Sequence, residues 1–118
     1  MLEDGGTRVK SRLRSDLRTA MKSRRKGEAA LIRELVAALD SAEAVPGSAE
    51  LTSLVRHEFR SGSAEVERLV LNDDHVRDLL LMEIQKREQA AAEMERLGEV
   101  RRAHTLRTEA MMVKRYVE

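Results

Sequence analysis

Residues with ligating or reactive side chains are few in this chain, and their spacing limits what chemistry they can do. His57, His75 and His104 stand far apart, and none belongs to the His-x-x-x-His or His-Glu-x-x-His patterns that aim two imidazoles at one metal. Asp73-Asp74-His75 is the one local cluster with ligand chemistry. Behind Asn72 the same residues make a helix start: a capping side chain, then two carboxylates at the positive helix end. Cysteine is absent, which excludes a thiol nucleophile, a zinc–thiolate site, an iron–sulfur centre and a disulfide scaffold. The glycines at 5, 6, 27, 47, 62 and 98 build no phosphate loop, and none precedes Lys-Ser or Lys-Thr. Ser61-Gly62-Ser63 reads as a turn, not as a nucleophile elbow. Carboxylates such as Glu83 with Arg87, or Glu95 with Glu99, lie at helical spacing among Arg and Lys and read as surface networks. No catalytic residue, metal ligand or cofactor site is expected, and the chain is not expected to be an enzyme.

What the residues do offer is positive charge at one end. Residues 1–26 carry nine basic and three acidic side chains, a balance of +6, whereas the other 92 residues carry 13 basic and 18 acidic, a balance of −5. Lys10, Arg14, Arg18 and Lys22 recur every fourth residue, and Arg24, Arg25 and Lys26 follow as a cluster. Such a face can contact a phosphate backbone. It can equally be a solvated face, or pair with the acidic later helices, and a cationic helix C-terminus also favours the helix itself. Aromatic residues are 2% of the chain, Phe59 and Tyr116, so stacking platforms for unpaired bases are lacking.

The elements that must position this charge are helices. The chain has 118 residues, one domain's worth, is 36% charged and has a single proline, Pro46, and Ala, Leu, Arg and Glu dominate. Residues 1–6 are expected to be a disordered start to a single domain over 7–118. Val9, Leu13, Leu17, Ala20 and Met21 mark the inward face of a helix over 7–26, with Gly27 as its C-terminal cap. Leu31, Ile32, Leu35, Leu39 and Ala42 mark a second over 28–44, ended by Pro46-Gly47-Ser48. Leu51, Leu54, Val55 and Phe59 suggest a short helix around 49–60. Val76, Leu79, Leu80, Ile84, Arg87, Ala91, Met94 and Leu97 trace the longest helix, over 73–97 and ended by Gly98. Val100, Ala103, Leu106, Ala110, Val113 and Val117 mark the last, over 99–117. The expected architecture is all-α: a bundle of four main helices in two hairpins plus the short one. No apolar run is long enough to span a membrane, and Met1-Leu2-Glu3-Asp4 is unlike a signal peptide, so the cytoplasm is the expected location.

The stretch Val9-Lys-Ser-Arg-Leu-Arg-Ser-Asp-Leu-Arg-Thr-Ala-Met-Lys-Ser-Arg24, followed by Leu31-Ile-Arg-Glu-Leu-Val-Ala-Ala-Leu-Asp-Ser-Ala-Glu-Ala-Val45, resembles the opening of the GatB/YqeY family. Leu71-Asn-Asp-Asp-His-Val76 resembles that family's Leu-Thr-Asp-x-Asp-Val helix start. Glu83-Ile-Gln-Lys-Arg-Glu-Gln-Ala-Ala-Ala-Glu-Met-Glu-Arg-Leu-Gly98 resembles its Lys-Arg-rich helix ending in glycine. The similarity covers about residues 8–45 and 64–117; residues 46–63 look like an insertion, and the family's small C-terminal three-helix subdomain is expected to be missing. The resemblance implies a non-catalytic YqeY-like helical module, linked to tRNA or to glutamine-dependent tRNA amidation. An amidotransferase activity does not come with it. Its partner would be tRNA or a protein of tRNA amidation or translation. Lys10, Arg14, Arg18, Lys22, Arg24, Arg25 and Lys26 are the expected phosphate contacts. The alternative is a protein–protein adaptor or homodimer without nucleic acid, contacting its partner through Ala90, Ala91, Ala92, Met94, Met111 and Met112.

Overall fold

The structure, a computed structural model, describes residues 5–44 and 71–117. The short helix expected around 49–60, the insertion at 46–63 and residues 1–4 lie outside the described residues. Four helices account for most of the rest: α1 (Gly5–Lys22), α2 (Lys26–Ala42), α3 (Asp73–Arg96) and α4 (Val100–Lys114). The described part is all-α, as composition and periodicity require.

Helices α1 and α2 form one antiparallel hairpin and α3 and α4 a second, and α1 packs against α3 to join them. The core between them is aliphatic. Leu13 and Ala20 come from α1; Ala29, Leu31, Ile32, Leu35 and Leu39 from α2; Val76, Leu80 and Ile84 from α3; Ala110 and Val113 from α4. Val9, Leu17, Ala42, Leu79 and Val117 pack around this cluster. Three residues expected to face inward do not: Met21 is 55% exposed, Leu97 58% and Val100 69%. All three lie where a hairpin turns, beyond the reach of the opposing pair of helices. The Met21 thioether is instead met by the Arg33 guanidinium at 3.6 Å.

The helix ends explain two boundary shifts. Gly5 and Gly6 are buried and helical instead of belonging to a disordered start. A Cβ on Gly5 would come within 3.0 Å of the Asp73 backbone, so only glycine lets α1 begin against the start of α3. The Gly6 amide donates to the Leu71 carbonyl at 3.2 Å, closing that corner. At the other end, Gly27 is not the cap of α1. The Arg25 amide reaches back to the Ala20 carbonyl at 2.8 Å and the Arg24 amide to Met21 at 3.1 Å, with Arg24 at φ 59°. This is a Schellman turn with arginine at the left-handed position, and Gly27 falls in the first turn of α2. The same turn closes α3, with Gly98 at φ 80° and hydrogen bonds from Glu99 to Met94 and from Gly98 to Glu95. Asn72 caps α3, its side chain accepting from the His75 amide at 2.8 Å, with Asp73 and Asp74 in the first turn.

Candidate nucleic-acid interface

The candidate site is the outer face of α1 and the turn into α2. At 3.6 residues per turn, Ser11, Arg14, Ser15, Arg18 and Lys22 fall within an arc of about 100° on α1. All five are exposed, and the arc holds neither a carboxylate nor an apolar side chain. The opposite side of the helix is the buried stripe of Val9, Leu13 and Ala20, so the core fixes which way the cations point. Arg24, Arg25 and Lys26 extend the exposed cations past the helix end.

Seven cations from the sequence pattern thus divide into two groups. Lys10 leaves the set: its ammonium sits 2.6 Å from Glu43 and 3.1 Å from Asp40, with 13% of its side chain exposed. Burial disfavours its charge, but the hydrogen bonds it donates to Glu43 and Asp40 outweigh that and raise its pKa. It fastens α1 to the end of α2. Arg25 pairs with Glu28 at 3.1 Å across the first turn of α2, and its guanidinium stays at the surface. Arg14, Arg18, Lys22, Arg24 and Lys26 have no ion-pair partner among the described residues, nor do Arg12, Arg33, Arg77, Arg101 and Arg115, whereas Arg8, Lys86, Arg96, Arg102, Arg107 and Lys114 each meet a carboxylate. The reason is local. The one carboxylate in α1 is Asp16, which lies off the basic arc and accepts the Tyr116 hydroxyl at 2.5 Å.

Two further features were not legible from spacing. Arg33 of α2 adds an exposed cation beside Met21 at the hairpin turn, and nothing in the α1 pattern could announce a residue on another helix. Arg12 lies over the Tyr116 ring, 4.6 Å from its centroid, and binds the chain's last turn to α1. Beside it, Arg8, Arg12, Arg77, Asp73, Asp74 and Tyr116 line a cleft of about 460 Å³ in which Arg8 and Asp73 are already paired.

The Glu83–Arg87 pair is not a surface network. Arg87 is 5% exposed, and its guanidinium meets Glu83 of its own helix at 2.6 Å, Glu34 of α2 at 2.9 Å and Glu109 of α4 at 3.3 Å. It also donates to the Glu83 carbonyl at 3.0 Å. Burial alone would raise the Glu83 pKa, but the hydrogen bond from Arg87 and the nearby cations bring it below the usual glutamate value. With each guanidinium nitrogen directed at a carboxylate or carbonyl, this cluster ties three helices together. Glu95 pairs with Arg107 at 2.5 Å and Glu99 with Arg102 at 3.7 Å.

Among the described residues no group of three or more His, Asp or Glu side chains could hold a metal ion. No helix among them is long and apolar enough to cross a membrane. The chain matches no protein-family model, no curated protein and no solved structure.

Proposed function

We propose that this chain is a non-catalytic helical module that binds tRNA, or serves tRNA-dependent amidation, through the exposed cations of α1 and its turn. The observation that carries this reading is the charge of Arg14, Arg18, Lys22, Arg24 and Lys26, which no carboxylate among the described residues pairs, on a protein whose net charge is only +1. Among the described residues, carboxylates that form ion pairs meet other cations, on Arg87, Lys10 and the α3–α4 surface among them. Concentrated, unpartnered positive charge is the electrostatic footprint of polyanion binding. The resemblance to YqeY-like proteins supplies tRNA as the polyanion.

The test is a titration of labelled tRNA with the purified protein at two salt concentrations. Four to five phosphate contacts give a slope of log affinity against log salt near −4, so a fourfold rise in salt lowers affinity by roughly 250-fold. Replacing Arg14, Arg18, Lys22 and Lys26 by Ala flattens the slope by about one per residue. An unchanged affinity and slope in that variant would make the basic face structural.

A second reading has its own observation. Leu97 and Val100 are exposed at the α3–α4 turn, and Met94, Arg101, Arg102, Thr105 and Leu106 line a groove of about 440 Å³ beside them. Of the alanines and methionines named for a protein contact, Ala91 is in the core and Met112 packs against it, while Ala92 and Met111 are exposed. A protein–protein adaptor or homodimer would use this end. Light scattering on the purified chain separates a dimer from a monomer.

A further inference from the structure

We infer that the α1 face takes double-stranded RNA in preference to single strands, its side chains lying across the ribose-phosphate backbone of a stem. This rests on the RNA reading above and specifies the ligand.

Three observations lead there. First, the face carries no aromatic ring for an unpaired base to stack on. Proteins that hold single strands alternate cations with exposed aromatic rings. The one aromatic residue among the described residues is Tyr116, which is 8% exposed, lies under the Arg12 guanidinium and donates its hydroxyl to Asp16. Second, from Ser11 to Lys22 the residues filling the arc are Arg, Lys and Ser alone. Serine hydroxyls at 11 and 15, interleaved with Arg14, Arg18 and Lys22, are donors and acceptors of the size that meets phosphate oxygens and ribose 2′-hydroxyls. Duplex RNA is recognised by these groups and by shape, since its deep major groove hides the base edges. Third, the arc spans only about a quarter of the helix circumference and the far side is core. The packed side leaves α1 one outward face, along which Arg14 to Lys22 cover about 12 Å at 1.5 Å per residue, a length that can follow a ribose-phosphate backbone. Phosphates fixed at regular spacing by a duplex suit cations held rigidly by a helix better than a mobile single strand does.

The experiment uses the whole chain and three labelled probes: an RNA duplex of about 16 base pairs, one of its strands alone with a sequence that does not self-pair, and the DNA duplex of the same sequence. At one salt concentration the RNA duplex is expected to bind at least about tenfold more tightly than the single strand. The variant Arg14→Ala/Arg18→Ala/Lys22→Ala loses that preference along with most of its affinity. Ser11→Ala/Ser15→Ala loses severalfold on the RNA duplex and nothing on DNA. A single strand that binds as well as the duplex overturns this inference and leaves the RNA reading standing. Equal binding of the RNA and DNA duplexes, with the serine variant unaffected, overturns the ribose contacts. No binding to any probe at low salt overturns the RNA reading itself.

Discussion

Arg24 and Gly98 occupy the same position, the left-handed residue of a Schellman turn, at the ends of α1 and α3. Their φ values are 59° and 80°, and each lies in the middle of the same pair of backward hydrogen bonds. Glycine adopts this conformation freely, whereas an ordinary L residue is strained there by about 1 kcal/mol or more. Glycine at 98 is therefore the structural solution. Arginine at 24 keeps the turn at a cost and places one more cation at the edge of the basic face.

That contrast makes Arg24→Gly informative. The substitution relieves the backbone and is expected to stabilise the fold by about 1 kcal/mol, a rise of a few degrees in Tm. It also removes a surface cation, so on the proposed function affinity for tRNA is expected to fall severalfold. Thermal melts and binding titrations on one preparation check both. A variant that is more stable and binds as before would show that Arg24 has no part in the interface.

Arg87 is expected to be the costliest single residue to truncate. Arg87→Ala leaves Glu83 and Glu109 partly buried without their counter-charge, a loss of about 3–5 kcal/mol in urea unfolding. Glu34 is 63% exposed where it meets the same guanidinium, so Glu34→Gln costs under about 1 kcal/mol.

The same cluster sets an acid limit. The folded-state pKa of Glu83 lies below its ordinary value of 4.5, opposed by burial and lowered by the Arg87 hydrogen bond. Its contribution is therefore complete above that ordinary value and is lost as pH falls below it, through the folded pKa. Stability measured by denaturant titration is expected to drop between pH 5 and 3, and Glu83→Gln to flatten that drop. A parallel pH profile in the variant would place the acid sensitivity in other carboxylates.

The helices and their pairing were legible because apolar residues at three- and four-residue spacing can bury one face only, and short turns make neighbours antiparallel. The fourfold recurrence of Lys10, Arg14, Arg18 and Lys22 was legible too. Its membership was not: Lys10 faces Asp40 and Glu43, which are 30 and 33 residues away and come near only when α2 folds back. The Arg87 cluster shows the same limit. Glu83 is one turn away and visible as a pair, but Glu34 and Glu109 join it only by tertiary packing. Gly27 misled for a local reason, since glycine is the usual left-handed residue and the chain uses Arg24 three positions earlier. Gly5 was unreadable as a helix residue because its role is to admit the Asp73 backbone.

Gly27 and Gly5 should respond to alanine with opposite signs. A Cβ on Gly27 meets nothing within 4 Å, and the position lies in the first turn of α2. Gly27→Ala is expected to stabilise by about 0.5–1 kcal/mol through a less flexible unfolded chain and better helix propensity. Gly5→Ala drives its methyl against the Asp73 Cα and amide nitrogen, both at 3.0 Å, and is expected to destabilise by about 1–3 kcal/mol. Equal melting temperatures for the two variants would mean that α1 does not close against α3 through Gly5.

Tyr116 gives an optical readout of how the chain's last turn is held. It is the chain's one tyrosine, and tryptophan is absent, so tyrosinate absorbance reports on a single group. Burial, and then the hydrogen bond to the Asp16 carboxylate, push its pKa well above the ordinary value of 10.0. A raised pKa makes the contribution complete below that ordinary value; it is lost as pH climbs toward the folded one. In native protein the tyrosinate signal should therefore stay absent well above pH 10 and then rise together with unfolding, while in denaturant it titrates near 10. Asp16→Asn removes the carboxylate charge and keeps an acceptor, so the phenol should titrate earlier than in the parent. If Tyr116 ionises near pH 10 with the helices intact, the last turn is not seated on α1 between Arg12 and Asp16.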